Sequence, residues 1–359
     1  MNLNIDAIKG QTFDAIVIGS GISGGWAAKE LTEKGLRVLM LERGMNIEHI
    51  TDYESAMKDP WEFKHAGRMT QEQKSTHPVQ IRDYPYQEAN EKWWVNDLEC
   101  PYTEDKRFDW YRGFHVGGKS LMWGRQSYRF SDHNFEDNAK DGHGNDWPIR
   151  YKDLAPWYDY VEKFAGISGN RDGVPNLPDG EFLPAMEMNC VEQMVASNLK
   201  TKMGRPMIIG RSANHTAKIG TRGPCQFRNK CHQGCPFGGY FSSNSATLPA
   251  AAATGNLTLR PDAITTEILY DKETGRAKGV RILDSNTNKT EEYFAKIVFL
   301  NASTLGTAQI LLNSVSEVFP DGFGNSSLQV GHNLMDHHYG VGANGDFEGF
   351  LDKYTYGRR

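Results

Sequence analysis

The architecture is set near the start of the chain by Phe13-Asp14-Ala15-Ile16-Val17-Ile18-Gly19-Ser20-Gly21-Ile22-Ser23-Gly24, continued by Trp26-Ala27-Ala28-Lys29-Glu30-Leu31. Ala15–Ile18, apolar and rich in β-branched residues, reads as a parallel strand buried on both faces. Gly19 lets the chain turn sharply off that strand. Gly21 leaves bare backbone for a pyrophosphate, and Gly24 lets the next helix lie close on the sheet. The start of that helix offers unpaired N–H groups and the positive end of its dipole to an anion. Gly35 reads as a helix stop, and Arg37-Val38-Leu39-Met40-Leu41 as a second strand ending in Glu42. Glu42 is an acid about 20 residues past the glycines, the spacing that holds a ribose hydroxyl. A lone G-x-G-x-x-G is a weak signal, but strand, turn, helix, strand and acid occur here in that order. A dinucleotide site is therefore expected on Gly19, Ser20, Gly21, Ile22, Ser23, Gly24 and Glu42. These residues leave open which dinucleotide it takes.

The chain has 359 residues, enough for a sizeable core and, by length, about two domains. A formal net charge of −5 gives no reason to expect a nucleic-acid partner. Met1-Asn2-Leu3-Asn4-Ile5-Asp6 lacks the basic and apolar regions of an export signal. No apolar run approaches the roughly 20 residues that span a bilayer. Aromatic residues crowd between Tyr84 and Tyr160. They read as core packing, with a sugar-stacking wall as the sharper alternative.

Between Glu42 and about Glu99 the sequence is polar with little periodicity. It reads as an excursion covering the first domain, with a helix over 52–63. Then comes Trp110-Tyr111-Arg112-Gly113-Phe114-His115-Val116-Gly117-Gly118-Lys119-Ser120-Leu121-Met122-Trp123-Gly124. Its paired glycines and small hydroxyl suit a second close backbone approach leading into a short helix. Asp153 and Pro156 mark the first turn of a helix running to Ala165 and stopped at Gly166. Residues 186–200 predict an amphipathic helix whose methionines fill core. Residues 242–253 predict a helix, 256–260 a strand, 263–270 with 277–283 a hairpin, 293–300 a buried strand and 305–313 a helix. Adjacent His337-His338 diverge in regular backbone and do not read as a metal pair.

Five cysteines, an odd number with three in one loop, argue against a secreted disulfide framework. The loop is Gly223-Pro224-Cys225-Gln226-Phe227-Arg228-Asn229-Lys230-Cys231-His232-Gln233-Gly234-Cys235, with Arg222 just before it. Clustered thiolates among basic residues suit a soft anionic centre such as iron–sulfur. Zinc on the three cysteines and His232 is the rival, and three plain thiols the third reading.

Gly19–Gly24 with Glu42-Arg43-Gly44, then Arg112 through Trp123, resemble in order and separation the two signatures of the glucose–methanol–choline (GMC) oxidoreductases. Gly144-Asn145-Asp146-Trp147-Pro148-Ile149-Arg150-Tyr151-Lys152-Asp153-Leu154 is similar to the passage into the substrate domain of their sugar-dehydrogenase branch. Gly331-His332-Asn333-Leu334-Met335-Asp336-His337 is similar to the family's return to the flavin domain. The resemblance implies an α/β fold: a Rossmann-like FAD-binding domain of the GMC/p-cresol flavoprotein type with an incomplete α+β substrate domain. The FAD domain would occupy 1–150, with the excursion at about 45–100, and resume over 213–336 with the cysteine loop at 223–239. Residues 151–212 would be substrate domain and 337–359 the start of a truncated substrate-domain sheet. The resemblance adds Arg43, Arg112, Gly117, Gly118, Ser120, Trp123, Gly124, Ala263, Asn301 and Ala302 to the cofactor contacts. Met122 stands where some relatives carry a flavin-linked histidine, which implies non-covalent FAD. Cys-x5-Cys-x3-Cys is similar to the cluster loop of FAD-dependent sugar dehydrogenases and implies a [3Fe-4S] centre on Cys225, Cys231 and Cys235.

The implied activity is oxidation of a CH–OH group of a sugar or glycoside, 3-oxidation of a glycoside being the specific expectation. A hydride passes to flavin N5 and electrons leave through the cluster to an external acceptor. The catalytic histidine is expected beyond Arg359, so no residue here is nominated as base and the chain reads as a fragment. Two alternatives stand: a non-catalytic flavin-binding or electron-transfer piece, and an oxygen-using GMC alcohol oxidase with a structural zinc loop. By analogy with cluster-bearing relatives, partners would be a small export-carrying subunit and a cytochrome or quinone. The location would then be periplasmic by co-export, or cytoplasmic without it.

Overall fold

The computed structural model describes residues 13–336 together with 342, 344–346, 348 and 349. His337, His338 and most of the expected sheet start at 337–359 lie outside the described residues. In chain order the elements are β1 (Phe13–Ile18), α1 (Ile22–Glu33), β2 (Val38–Leu41), α2 (Gln71–Thr76), α3 (Asp132–Lys140), α4 (Tyr151–Ala165), α5 (Cys190–Met203), α6 (Thr247–Ala253), β3 (Leu257–Arg260), β4 (Ala263–Asp271), β5 (Arg276–Asp284), β6 (Thr290–Leu300) and α7 (Thr304–Asn313). They form two compact units, residues 13–123, 230–234 and 242–336 in one, 124–229 and 235–241 in the other.

The first unit is built on a six-stranded sheet of order β3-β2-β1-β6-β5-β4. β3, β2, β1 and the Ala295–Leu300 half of β6 run parallel, with Val17 of β1 opposite Met40 of β2 and Phe299 of β6. The Thr290–Phe294 half of β6 pairs antiparallel with β5, which pairs antiparallel with β4. One long strand thus serves two kinds of pairing. Ala15, Val17, Val38, Met40 and Leu259 pack against Ala28 of α1 and Leu248 and Ala251 of α6. On the other face Ile16, Ile18, Leu39 and Leu41 pack with Ile268, Val280, Ile282 and Ile310. Burial on both faces is why Ala15–Ile18 of β1 and the whole of β2 read as unbroken apolar runs.

The excursion after β2 holds short turns and α2. The helix expected over 52–63 is a string of turns ending in a 3₁₀ turn, Pro60–Glu62. Ile47, Tyr53, Tyr86, Trp93, Trp94, Leu121 and Met122 give this region its own buried cluster. The packing reading of these aromatics holds for Tyr86, Trp93 and Trp94.

The second unit is organised around two buried arginines. Arg129 donates to Glu162 (2.8 Å from Nε), to Asp159 and to the Tyr151 hydroxyl (2.8 Å). Arg211 pairs with Asp179 at 2.9 Å and donates to the Pro178 carbonyl. α4 ends at Gly166, φ +80°, as its sequence predicts, and the Asp153 carboxylate accepts the Arg150 N–H at 2.9 Å. Pro156, however, falls inside α4 rather than in its first turn, because the helix begins at Tyr151. α5 starts at Cys190, where the Asn189 side chain caps Val191 and Glu192 N–H. No residue of α5 is buried, so Met194 is not core filler.

Candidate dinucleotide site

Gly19 leaves β1 at φ +92°, and a Cβ there would sit 2.9 Å from the Asn301 carbonyl carbon. A Cβ on Gly24 would sit 2.9 Å from the Gly19 carbonyl carbon and closer still to its oxygen. Glycine is required at both positions by contact. Gly21 differs: nothing lies within 4 Å of where its Cβ would be. α1 begins there with no side-chain cap and no acidic residue in its first turn, and Ile22 and Ser23 are exposed. The amides and dipole of the helix start thus face open space with no local anion to neutralise them.

Glu42, at the end of β2, is buried. Its Oε2 accepts the Ser20 N–H (3.0 Å) and the Ser20 hydroxyl (2.6 Å), and its Oε1 accepts the Gly44 N–H (3.0 Å). Burial pushes the carboxyl above its ordinary pKa, and the Ser20 hydrogen bond opposes that shift. The Ser20 hydroxyl also accepts the Gly117 N–H at 2.9 Å. A single buried hydroxyl therefore joins the two glycine stretches: Gly117 N–H to Ser20 Oγ, Ser20 O–H to Glu42.

The second stretch forms a 3₁₀ turn, Gly118–Leu121, entered through Gly117 at φ +89°. A Cβ on Gly118 would be 3.3 Å from Gly21 Cα, so this turn abuts the first. The Ser120 hydroxyl donates to the Gly117 carbonyl (2.6 Å) and accepts the Ser243 N–H (3.0 Å). Asn244 donates through Nδ2 to the Ile47 (2.9 Å) and Val116 (3.1 Å) carbonyls, tying the start of the excursion to the turn. Ser243 and Asn244 were not among the residues singled out in the sequence. Their signal was the polar run Ser242-Ser243-Asn244-Ser245, which precedes α6 rather than belonging to it. The expected helix start at 242 is thereby corrected to Thr247: the serines bond to one another, with Ser242 Oγ 3.0 Å from Ser245 Oγ.

The remaining expected contacts are placed as follows. Asn301 follows β6, and its N–H donates to the Ile18 carbonyl at 2.8 Å. Its Oδ1 is buried with no hydrogen-bond partner among the described residues, as are Ser243 Oγ and Thr247 Oγ1. Ala302 is half-buried beside it. The Ala263 N–H donates to the Glu42 carbonyl at 2.9 Å, fixing Ala263 behind the end of β2. The Arg43 guanidinium lies 3.6 Å from the Phe114 ring centroid. Arg112 is buried, paired with Asp97 at 3.0 Å and set against the Tyr102 and Trp110 rings. Trp123 ends the first unit and Gly124 opens the second. His115, also unselected in the sequence, is fully buried with Nδ1 3.1 Å from the Val116 carbonyl, and burial pulls its pKa down to about 4.

The sequence matches the GMC oxidoreductase family over residues 13–339. The chain belongs to that family. Membership brings FAD as cofactor, and the residues fit it. The Gly21–Gly24 amides would hold the diphosphate, Glu42 a ribose hydroxyl, and Asn301, with its unpartnered oxygen, a polar group of the nucleotide. Among curated GMC relatives and others, the chain is 28% identical to 2-methyl-1,2-propanediol dehydrogenase of Mycolicibacterium austroafricanum, covering 90% of this chain and 55% of that one. It is 26% identical to 6'''-hydroxyparomomycin C oxidase of Streptomyces lividus, covering 90% and 54%. It is 24% identical to the fructose dehydrogenase large subunit of Gluconobacter japonicus, covering 90% and 58%. This GMC chain thus spans about half the length of the curated relatives it matches.

The cysteine loop does not present a ready centre. Among the described residues no group of three or more His, Cys, Asp or Glu side chains is placed to hold a metal ion. Cys225, Cys231 and Cys235 are reduced and half-buried. Cys231 opens a 3₁₀ turn, Cys231–Gln233, fixed within the first unit by Asn90, which donates to the His232 carbonyl at 3.0 Å. Cys225 and Cys235 belong to the second unit. The same finding bears on zinc with His232.

Proposed function

We propose that this chain is the FAD-holding part of a dehydrogenase that oxidises CH–OH groups of sugars or glycosides and passes the electrons to an external acceptor. The observation that carries the reading is the Gly117–Ser20–Glu42 hydrogen-bond chain, which ties the second glycine turn to the buried Glu42 carboxylate beside an uncapped helix start where nothing lies within 4 Å of a Gly21 Cβ. Bound FAD supplies the hydride acceptor. The protein's own part is to grip and orient it. The amides after Gly21 would hold the diphosphate, Glu42 would accept from the ribose, and Asn301 would hold a polar group of the nucleotide at the end of β6. The substrate class is supported by relatives whose names carry fructose, a propanediol and a hydroxyparomomycin. Dye reduction with glucose and simple alkyl glucosides, by this chain and by a C-terminally extended form, each loaded with FAD, tests this. Turnover is expected of the extended form; turnover by this chain alone refutes the fragment view, and tight FAD binding without reduction of dye in either form reduces the reading to a flavin-holding piece.

A second reading, electron exit through an iron–sulfur centre, is favoured by the amide donors around two of the thiols. The Cys225 sulfur accepts from the Phe227 N–H at 3.4 Å, and the Cys235 sulfur from the Gly239 N–H at 3.3 Å. Such donors stabilise sulfur carrying negative charge. Iron and acid-labile sulfide in the purified protein, with an EPR signal, would support it. Stoichiometric zinc, or neither metal, would remove it.

A further inference from the structure

Resting on the reading of the Gly19–Gly24 turn as the seat of a flavin nucleotide's diphosphate, we propose that Lys119 is the side-chain cation that neutralises that diphosphate. A diphosphate diester carries a negative charge on each phosphate. The start of α1 offsets only part of it, since a helix dipole is worth about half an elementary charge. Residues 42–44 and 112–123 contain three cations. Arg112 is buried and committed to Asp97 at 3.0 Å, with its guanidinium about equally near the Tyr102 and Trp110 rings. Arg43 is stacked over Phe114.

Lys119 is exposed, and among the described residues its Nζ makes no ion pair and no hydrogen bond. It directly follows Gly118, whose absent Cβ would lie 3.3 Å from Gly21 Cα, and it precedes Ser120, which pins the turn from below. The turn therefore fixes the Lys119 backbone beside the open face of Gly21, within reach of a flexible four-carbon stem. The charged group Lys119 acts on inside the protein is the half-buried Asp83 carboxyl, which is not within ion-pair distance. The Lys119 side chain thus starts beside Gly21, and among the described residues its ammonium makes no ion pair.

Calorimetric titration of the apoprotein with FAD, ADP, adenosine and riboflavin separates the possibilities. K119Q is expected to weaken FAD and ADP about tenfold, the value of one charge-assisted hydrogen bond, and to leave adenosine and riboflavin unchanged. K119R should stay within about threefold of wild type for all four, because a cation is kept. The thermal midpoint of the ligand-free protein should not move in either variant. Unchanged FAD and ADP affinity in K119Q would overturn the assignment. So would an equal loss for adenosine, or the same loss in D83N, which would make Lys119 a partner of Asp83 instead. Wild-type protein that binds neither FAD nor ADP would bring down the flavin reading itself, an outcome distinct from a silent K119Q in protein that binds both.

Discussion

Gly21→Ala and Gly24→Ala differ by three positions and should separate cofactor binding from folding. At Gly24 the added methyl would sit 2.9 Å from the Gly19 carbonyl carbon and nearer to its oxygen, both of them backbone. Neither atom can rotate away. Relief requires lifting α1 from β1, with a cost of about 3 kcal/mol or more. At Gly21 the methyl meets nothing within 4 Å, and φ is −63°, a value alanine adopts freely. The remaining cost is that of alanine for glycine at a helix N-cap, about 0.5–1 kcal/mol. The methyl does, however, occupy the face that a diphosphate would approach. Gly21→Ala should therefore retain a near-native urea midpoint in the apoprotein while losing FAD affinity by about tenfold or more. Gly24→Ala should lose both. The assay is urea unfolding followed by circular dichroism, paired with FAD titration by flavin fluorescence quenching. Wild-type FAD affinity in Gly21→Ala would refute the placement of the diphosphate on this turn, whatever Gly24→Ala does.

Ser20→Ala removes the hydroxyl that donates to Glu42 and leaves the Gly117 N–H unpaired. A destabilisation of about 2–4 kcal/mol is expected from a charge-assisted bond plus an unsatisfied buried donor, read as a lowered urea midpoint. A change below about 0.5 kcal/mol would mean water replaces the hydroxyl. His115 gives a pH dependence. Its folded pKa is depressed to about 4 by burial, so the native state binds fewer protons than the unfolded state between about pH 4 and the ordinary histidine range. Its contribution, up to about 3 kcal/mol, is present above pH 6.5 and lost as pH falls through about 4. Urea midpoints at pH 7.5, 5.5 and 4.5 should fall in that order, and His115→Gln should flatten the trend. His215, depressed to about 4 by burial, contributes in the same direction and keeps the variant from being flat. Trp93→Ala, in the core of the excursion, should cost about 3–5 kcal/mol and weaken FAD binding, since Trp93 shares a buried cluster with Leu121 of the second glycine turn. Unchanged FAD affinity in a folded Trp93→Ala protein would uncouple the two.

Wherever a residue type was fixed by local backbone demand, it was legible in the sequence. Gly19 is dictated by its φ of +92° and Gly24 by contact with the Gly19 carbonyl, both inside one βαβ turn, and Glu42 by a spacing that β2 imposes. Gly166 and the hairpin β4–β5 follow from the same kind of short-range rule. Part of what failed depended on partners far away in sequence, and part on local capping. Ser242–Ala253 has helical composition, yet Asn244 is drawn out to the Ile47 and Val116 carbonyls and the serines close on themselves, so the helix waits until Thr247. Pro156 suggested a late helix start, but Asp153 already serves the Arg150 N–H and begins the helix at Tyr151. Ser20 was legible as a turn residue, but its link to Gly117 was not, because 97 positions separate them.

That link changes how the excursion should be understood. Gly117 reaches Ser20 only if the chain between β2 and the second glycine turn folds back to deliver it. The means of delivery are on hand: Val116 donates to the Met45 carbonyl at 2.9 Å, Asn244 clamps Ile47 to Val116, and Asp97 holds Arg112. Trp93 and Leu121 lie in one buried cluster, so the excursion's core and the second turn are packed as one body. The orientation of Glu42 then depends on more than β2. Its Oε2 accepts from a serine whose hydroxyl also accepts the Gly117 N–H, so the serine is held from both sides. Loosening the excursion would withdraw the Gly117 N–H and leave Ser20 held by Glu42 alone, beside a buried carboxylate that burial already disfavours as an anion. A segment with little regular structure of its own thus helps fix the position of Ser20 next to the glycine turn.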